Sequence, residues 1–279
     1  MKMHHECFPC FLNQAIRAGN LLGISQDRQW SILKAVSRYL ATVDTSSPPP
    51  KNAVGLYDIV AQSSGVEDPY KDIKKKGTQE ALRLYPLLKK RVKDHVDPLF
   101  AALRLAIAGN VIDYGVALHY DLESEVEEIL DAAFARWDYN AFQERLNQAQ
   151  WILYIGDNAG ETVFDRLLIE EIRRPVRYVV RGGPIINDVT VEDAKDAHID
   201  EVAEIVSSGL RMPGIDLEKV SPEFFALFHE APMVISKGQG NFETLTPTGR
   251  EIFFLFKIKC KVVARYLGCP MGSLFMGTY

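Results

Sequence analysis

Residues 151–161, with the sequence WILYIGDNAGE, give the clearest indication of how this chain folds. The apolar run 151–155 is typical of a buried β-strand, and Gly156 ends it. Asp157 and Asn158 follow at once, just before the position where a helix should begin. Two oxygen-bearing side chains therefore stand at the carboxyl end of a strand, which is where open α/β sheets bind their ligands.

Oxygen ligands of this kind suit Mg²⁺ or Mn²⁺ better than a soft metal. A simpler interpretation is a turn in which Asp157 or Asn158 caps the next helix, and such turns are common. The pair alone does not distinguish a helix cap from a metal site. The decision between the two interpretations therefore depends on the rest of the chain.

The composition is that of an ordinary soluble globular protein, with 279 residues, 47% of them hydrophobic and 25% charged. A net charge of -5 and a pI near 5.7 argue against an electrostatic nucleic-acid binder. No apolar run approaches the ~20 residues of a membrane span, and the start MKMHHECFPC lacks the layout of a signal peptide. We therefore expect a cytoplasmic protein with neither a nucleic-acid nor a membrane partner.

The first half of the chain, residues 1–149, is predicted to form a helical N-terminal region that packs on the sheet. Apolar residues recur there at three- to four-residue spacing, and the prolines of TSSPPP at 45–50 interrupt the pattern. The segment 98–119 is strongly apolar and should be largely buried. The predicted helices cover residues 10–22, 27–43, 51–63, 72–85, 124–137 and 139–149.

The second half, residues 150–279, alternates between strand and helix patterns. Predicted strands lie at 151–155, 176–181, 201–206, 233–236 and 251–260, the last of which runs on into 262–267. Predicted helices lie at 162–172, 191–197 and 222–230. This alternation predicts an α/β fold with a Rossmann-like, mostly parallel sheet and helices on both faces.

Three polar loops follow strands of this sheet, and parallel strands open their carboxyl ends on the same side. The first loop contains DNAGE at 157–161, the second is RGGPIINDVT at 181–190, and the third is SKGQGNFE at 236–243. Each loop combines a carboxylate, an amide or a cation with glycines that let backbone N–H groups approach a ligand. One polar loop is ordinary, but three at one edge indicate a binding site.

The chemistry that these loops suggest is metal-assisted phosphoryl transfer. Asp157, Asn158 and Asp188 would hold a hard divalent cation and form the catalytic group. The cation would counter the charge that develops on the phosphoryl group. For Asp188 the simpler alternative is a helix cap before residue 191.

In this hypothesis, glycines and a lysine bind the phosphate. Lys237 would act as a point charge against the phosphate oxygens, and the backbone at Gly182, Gly183 and Gly238 would approach them. The alternative for Lys237 is a lysine at a strand end that reaches solvent. Arg181 either binds an anion or forms a surface ion pair.

Four segments together resemble a known family, the damage-control phosphatases: IGDNAGE, RGGPIINDVT, SKGQGNFE and AGNVIDYG. The resemblance extends over nearly the whole chain, including the start Cys7-Phe8-Pro9-Cys10, and is closest to the short microbial branch with an N-terminal CxxC. It implies a helical region on a Rossmann-like domain, with a divalent metal (Mg²⁺, Mn²⁺, Co²⁺ or Ni²⁺) at the carboxyl edge of the sheet. It also implies a small phosphorylated metabolite as substrate, such as a sugar phosphate or a damaged relative.

The resemblance also implies roles for single residues. Asp157, Asn158 and Asp188 correspond to the metal ligands, and Lys237 to the lysine that contacts phosphate. Glu161 is similar to a carboxylate that helps to position substrate.

Two polar residues of the segment AGNVIDYG, Asn110 and Asp113, resemble a second wall of the substrate pocket. Their alternative is a pair of polar residues that are hydrogen-bonded inside the helical core. The chain departs from eukaryotic members of the family, which carry KGD where this one has a neutral Gln239. The eukaryotic preference for sugar phosphates is therefore not transferred directly, and Asn241 and Glu243 are candidates to replace the lost carboxylate.

Cys7 and Cys10 form a CxxC pair, and Cys260 and Cys269 lie near the other end of the chain. Packed thiols, a metal site and a redox pair are all compatible with this pattern. Four cysteines are too few for a disulfide scaffold in a chain of this length.

The function that the sequence favours is a divalent-metal-dependent phosphatase. A non-catalytic sugar-phosphate-binding module and a methyltransferase that uses S-adenosylmethionine are the alternatives. The loop GDNAG carries metal ligands but lacks the spaced glycines that the methyltransferase cofactor usually meets. Within the phosphatase hypothesis, direct attack by water and a transient aspartyl-phosphate on Asp157 are both open.

Overall fold

A seven-stranded sheet forms the centre of the computed structural model, which describes residues 1–109 and 130–279. The strands are β1 (Phe134–Trp137), β2 (Ile152–Ile155), β3 (Val176–Val180), β4 (Glu204–Ser207), β5 (Met233–Lys237), β6 (Phe253–Lys257) and β7 (Leu274–Thr278). Their order across the sheet is β1-β7-β6-β5-β2-β3-β4. The strands β2 to β6 run parallel, while β7 pairs antiparallel with β6 and parallel with β1. The predicted mostly parallel sheet is confirmed.

The main helices cover this sheet, and those after Ala108 alternate with its strands along the chain. They are α1 (Cys7–Leu21), α2 (Gln26–Leu40), α3 (Pro49–Ser64), α4 (Lys71–Asp94), α5 (Pro98–Ala108), α6 (Tyr139–Gln148), α7 (Thr162–Ile172), α8 (Val191–Asp196), α9 (Pro222–Glu230), α10 (Gln239–Leu245) and α11 (Lys261–Leu267). Several begin at side chains that cap them: the Asp97 carboxylate accepts from the N–H of Phe100, and the Ser221 hydroxyl from that of Phe224. A proline follows each of these caps, where its missing N–H costs nothing.

Both faces of the sheet are covered, because successive residues of a strand point to opposite faces. Ile152 and Tyr154 pack in one core with α4, α5, α6 and α7. Leu153 and Ile155 pack in a second core with α9, α10 and α11. The central strand β2 is therefore buried on both sides, as its continuous apolar run predicts.

The first three helices form a core of their own. Phe11, Ile32 and Leu56 are among its buried members, together with Ile185 from the loop after β3. Helices α4 and α5 instead belong to the first core of the sheet. The helical N-terminal region thus has two parts, of which α1–α3 stand over the loops of the sheet and α4–α5 lie against its face.

The helix predicted at 124–137 is wrong at its end, because 134–137 is the edge strand β1. A strand of four residues is too short for its alternation of apolar and polar side chains to be recognised. Its partner strand β7 was not predicted either. The helix predicted at 72–85 continues to Asp94 through Pro86. A proline inside a helix costs about 3 kcal/mol, and the buried side chains of Leu84, Leu88 and Val92 offset that cost.

The described residues contain no helix that combines the length and apolarity needed to span a bilayer. Asn110 and Asp113, predicted as a second wall of the pocket, lie outside the described residues, as do 110–119 and 124–129 of the predicted helical segments.

Candidate active site

The strands that carry the three predicted loops, β5, β2 and β3, are neighbours at the middle of the sheet. The chain passes from β2 to β3 on one side and returns to β5 on the other, so a crevice opens at the carboxyl end of β2. The first two loops pair directly, with an antiparallel bridge between Asn158 and Asp188. The N–H of Val189 also donates to the carbonyl of Asp157 at 2.8 Å. The three predicted metal ligands are thus brought together.

A buried guanidinium joins the two aspartates. Arg181, with 1% of its side chain exposed, donates from Nε to Asp188 Oδ2 at 2.7 Å and lies 3.8 Å from Asp157 Oδ1. Its Nη2 donates to Asn241 Oδ1 at 3.1 Å. Arg181 therefore forms a buried ion pair, not the surface pair that we considered.

Asn241, predicted to bind substrate, is completely buried. Its amide nitrogen donates to the carbonyls of Gly156 and Lys237 at 3.1 and 2.7 Å. Because its oxygen also accepts from Arg181, the side chain is committed to holding the ends of β2 and β5 together. The prediction of direct substrate contact is therefore corrected to a structural role.

Gly238 makes room for the Asp157 carboxylate. Its φ is +82°, and a Cβ at this position would lie 2.1 Å from Cγ of Asp157. Its N–H donates to the carbonyl of Leu255 within the sheet at 3.1 Å, so this group is not free for a phosphate. The glycine is needed for close approach, not for the predicted backbone contact.

Gly182 also fails to present a free N–H group as predicted. The N–H of Gly182 donates to the carbonyl of Leu210 at 2.7 Å, and a Cβ there would lie 2.5 Å from the carbonyl carbon of Gly209. Gly183 packs beside the side chain of Arg211. Gly182 thus lets the loops after β3 and β4 approach one another, whereas the phosphate contact of Gly183 stays a prediction.

Lys237 lies behind the metal ligands, with 1% of its side chain exposed. Its Nζ donates to Asp165 Oδ1 at 2.6 Å and to Glu161 Oε2 at 3.2 Å. Contact with a substrate phosphate would require both buried ion pairs to open. The phosphate contact of Lys237 therefore stays a prediction, and the alternative of a solvent-exposed lysine is wrong.

The carboxylates of the site are not fully balanced by positively charged side chains. Burial, then the neighbouring charges of Asp188 and Glu161, raise the pKa of Asp157 to about 8. Burial also raises the pKa of Asp188, although Arg181 opposes the rise. Two carboxylates and an amide that are close together and lack sufficient counter-charge match the ligand set of a hard dication. The residues therefore fit the metal that the resemblance implies.

A cavity of about 1200 Å³ lies above these ligands, between the sheet edge and helices α1, α3 and α4. Asp157, Asn158 and Asp188 are at the sheet side of this cavity. The helical side presents Gln14 and Tyr57, whose hydroxyl donates to Gln14 Oε1 at 3.2 Å. A small molecule held here would meet the metal ligands on one side and polar helical groups on the other.

Lys259 is a site residue that our sequence analysis missed. It follows β6, lines the cavity, and its charge lowers the pKa values of both Asp157 and Asp188. The predicted strand covered 251–260, whereas the strand in the structure ends at Lys257. Lys259 was therefore assigned to a strand and not to a loop. The signal was available, because β6 is a fourth parallel strand that opens at the same edge.

Gln239, at the position of the aspartate in the KGD motif, is hydrogen-bonded to Glu243, one of the two candidates to replace that carboxylate. The amide nitrogen of Gln239 donates to Glu243 Oε1 at 2.7 Å, and both residues line the cavity. Burial raises the pKa of Glu243 to about 7, although this hydrogen bond opposes the rise. A carboxyl group is thus present at the cavity, four residues after the neutral Gln239.

Three of the cysteines face the same cavity. Cys7 and Cys10 lie in the first turn of α1, and Cys260 begins α11. All four cysteines of the chain are free. Burial raises the pKa values of Cys7 and Cys10, so they are protonated thiols at neutral pH.

The chain is similar to known proteins over almost its whole length. A model of the damage-control phosphatase ARMT1-like domain matches residues 3–275. A damage-control phosphatase of Pyrococcus horikoshii is 37% identical over 281 residues, which cover 98% of this chain and 97% of that protein. A damage-control phosphatase of Archaeoglobus fulgidus is 32% identical over 282 residues, 98% of each chain.

A solved structure is also similar over the whole molecule. The crystal structure of a DUF89 family protein from Pyrococcus horikoshii matches with a TM-score of 0.92 and 36% identity, and the match covers 100% of this chain and 99% of that one. The resemblance inferred from four sequence segments is thereby confirmed. The chain belongs to the ARMT1-like damage-control phosphatase family, and it is a phosphatase.

Proposed function

We propose that this phosphatase depends on a divalent cation and hydrolyses a small phosphorylated metabolite, namely a sugar phosphate or a damaged relative of one. The observation that carries the proposal is the convergence of Asp157, Asn158 and Asp188 at the floor of one cavity. A site that only bound phosphate could use backbone N–H groups and lysine alone. Two buried carboxylates beside each other are instead an arrangement that a dication stabilises.

Each residue has a distinct part in this proposal. Asp157, Asn158 and Asp188 would hold Mg²⁺, Mn²⁺, Co²⁺ or Ni²⁺, which when bound would stabilise negative charge on the transferring phosphoryl group. Lys259 faces the two aspartates from the cavity, so it is suited to bind phosphate oxygens as a point charge. Arg181 fixes the carboxylates of Asp157 and Asp188 relative to one another.

The substrate class is supported by the opposite wall. Gln14, Tyr57 and Arg17 line the helical side of the cavity. Hydroxyl, amide and guanidinium groups match the many hydroxyl groups of a sugar better than they match an apolar molecule. A cytoplasmic location and the absence of nucleic-acid partners remain part of the proposal, on the basis of the acidic composition.

Phosphate release from a panel of phosphorylated metabolites tests the function. The protein is stripped with EDTA and then supplied with one divalent metal at a time. We expect turnover only with metal, and highest for sugar phosphates. Turnover that persists in EDTA would contradict the metal dependence, and activity confined to large or apolar phosphate esters would contradict the substrate class.

Metal affinity should depend on pH. Because Asp157 holds a proton up to about pH 8 without metal, the cation must displace that proton below this pH. The affinity for Mn²⁺ is expected to rise about tenfold per pH unit from pH 6 to 8 and then to level off. Titration of Mn²⁺ by electron paramagnetic resonance at several pH values measures this. An affinity that is flat between pH 6 and 8 would contradict the assignment of Asp157 as a ligand.

A further inference from the structure

The ammonium group of Lys237 is buried between two carboxylates. Its two hydrogen bonds go to Asp165 and Glu161, whose side chains are 0% and 5% exposed. Burial by itself lowers the pKa of Lys237, but the two carboxylates outweigh this and the net shift is upward. The lysine is thus a permanent cation enclosed between two anions, and its effect must be transmitted through them.

One of these anions is anchored in the core of the protein. Asp165 Oδ1 accepts from the hydroxyl of Tyr154 at 2.7 Å, and Oδ2 accepts from the hydroxyl of Tyr178 at 2.8 Å. Both tyrosines are fully buried and stand on the neighbouring strands β2 and β3. With Lys237 as a third donor, Asp165 is held in one orientation. This end of the network is rigid.

The other anion reaches the metal ligands. Glu161 Oε2 accepts from Lys237, while Oε1 accepts from the amide nitrogen of Asn158. The same nitrogen lies 3.1 Å from Asp157 Oδ2, to which it also donates. An amide has donors at one end and an acceptor at the other. Since two carboxylates occupy the nitrogen end of Asn158, its oxygen is the end available to a cation.

We propose that Lys237 is a positioning residue of the metal site, which holds Glu161 against the amide nitrogen of Asn158 so that the amide oxygen faces the cation. The proposal rests on the metal-binding part of the function proposed above. Without the lysine, the carboxylates of Glu161 and Asp165 repel each other, and Glu161 loses the contact that fixes it. The amide of Asn158 is then free to turn its N–H groups, which cannot bind a cation, toward the site.

Two other roles for Lys237 predict different results. A lysine that only contributed positive charge would repel a dication, so its removal would tighten metal binding. A lysine that contacted substrate phosphate would leave the metal affinity of the substrate-free protein unchanged and would raise KM. The positioning role predicts weaker metal binding with KM preserved at saturating metal.

The experiment compares Lys237→Met with Lys259→Met. Each variant removes one positive charge, the first beside Glu161 and Asp165 and the second facing Asp157 and Asp188. Mn²⁺ is titrated into the metal-free proteins without substrate, and free Mn²⁺ is followed by electron paramagnetic resonance. Lys237→Met is expected to bind Mn²⁺ about 10- to 100-fold more weakly than the natural protein. Lys259→Met is expected to bind it equally well or more tightly, because only a repulsive charge is lost.

Kinetics at saturating Mn²⁺ provide the second readout. The KM of Lys237→Met should stay within about twofold of that of the natural protein, whereas the KM of Lys259→Met should rise. Mn²⁺ binding by Lys237→Met that is unchanged or tighter would overturn the positioning role. Failure of the natural protein itself to bind Mn²⁺ would overturn the metal-dependent function, and this result is distinguishable because no turnover enters the titration.

A double variant separates positioning from folding. Lys237→Met leaves Asp165 as an unpaired buried carboxylate and is expected to lower Tm. Lys237→Met with Asp165→Asn removes both charges of this pair, so we expect Tm to recover in part while Mn²⁺ binding stays weak, because Glu161 is still unsupported. Recovery of full Mn²⁺ affinity in the double variant would contradict the proposal.

Discussion

Asp157→Asn is expected to lower kcat/KM for phosphate release by on the order of a thousandfold, equivalent to about 4 kcal/mol of transition-state stabilisation. The substitution replaces one of two buried carboxylate ligands by a neutral amide of the same size. The same variant should nevertheless make the metal-free protein more stable at high pH. The two effects have one cause, since the site concentrates negative charge that only a cation relieves.

The sign of the stability effect follows from the pKa of Asp157, which is about 8 in the folded protein against an ordinary value of 3.8. Between these values the folded state binds a proton that the unfolded chain has lost, so the free energy of unfolding of the metal-free protein falls as pH rises from about 4 to 8. The asparagine variant lacks this titration. Its Tm in EDTA should therefore exceed that of the natural protein increasingly from pH 5 to about pH 8, and the difference should level off above pH 8.

A surface substitution serves as the control for this prediction. Asp200→Asn changes an exposed residue and should leave both the activity and the pH dependence of Tm unaltered. Parallel Tm curves for the natural protein and Asp157→Asn across pH 5–9 would show that Asp157 is not the titrating group.

Gly238→Ala should weaken Mn²⁺ binding and reduce kcat/KM by at least about a hundredfold, because a 1 Å misplacement is enough for such a loss. The added Cβ would lie 2.1 Å from Cγ of Asp157, so the carboxylate has to move. The residue also has a φ of +82° and a ψ of 152°, a region that is essentially open only to glycine and costs other residues about 1–3 kcal/mol. Mn²⁺ titration, kinetics and Tm measure the combined effect.

Gly249→Ala is the control for a positive φ without a steric contact. Gly249 has a φ of +67°, and no atom lies within 4 Å of the position of its Cβ. The variant should lose about 1–2 kcal/mol of stability through the backbone and keep its activity. Equal losses of activity in Gly238→Ala and Gly249→Ala would show that contact with Asp157 is not what requires a glycine at position 238.

The centre of the site was predictable because its signals are local. The eleven residues 151–161 are enough to recognise a buried strand followed by Asp157 and Asn158. The parallel topology of the sheet then places Asp188 beside them. The same reasoning gave the wrong role to Gly182 and Gly238. A glycine looks identical in sequence whether it exposes an N–H to a ligand or allows a close approach of other chain segments.

The surroundings of Lys237 were not predictable, since they depend on which side chains face each other across separate elements. Asp165 reads as a polar residue of an amphipathic helix, and Tyr154 and Tyr178 read as apolar core residues of strands. The hydroxyl groups of Tyr154 and Tyr178 reach the carboxylate of Asp165 only because α7 packs on β2 and β3. The edge strand β1 was missed for a similar reason, because its pairing with β7 is entirely non-local.

The position of β7 between β1 and β6 also affects how the chain can assemble as it is synthesised. At about 5–20 residues per second, β1 emerges on the order of ten seconds before the roughly 140 residues up to the end of its partner strand β7 are complete. Until then β1 has no neighbour, and the β6 edge of the growing sheet stands open. Such unpaired edges promote association with other chains. The nascent protein is thus most exposed to aggregation in the interval before its last strand inserts, which is when a chaperone would have most effect.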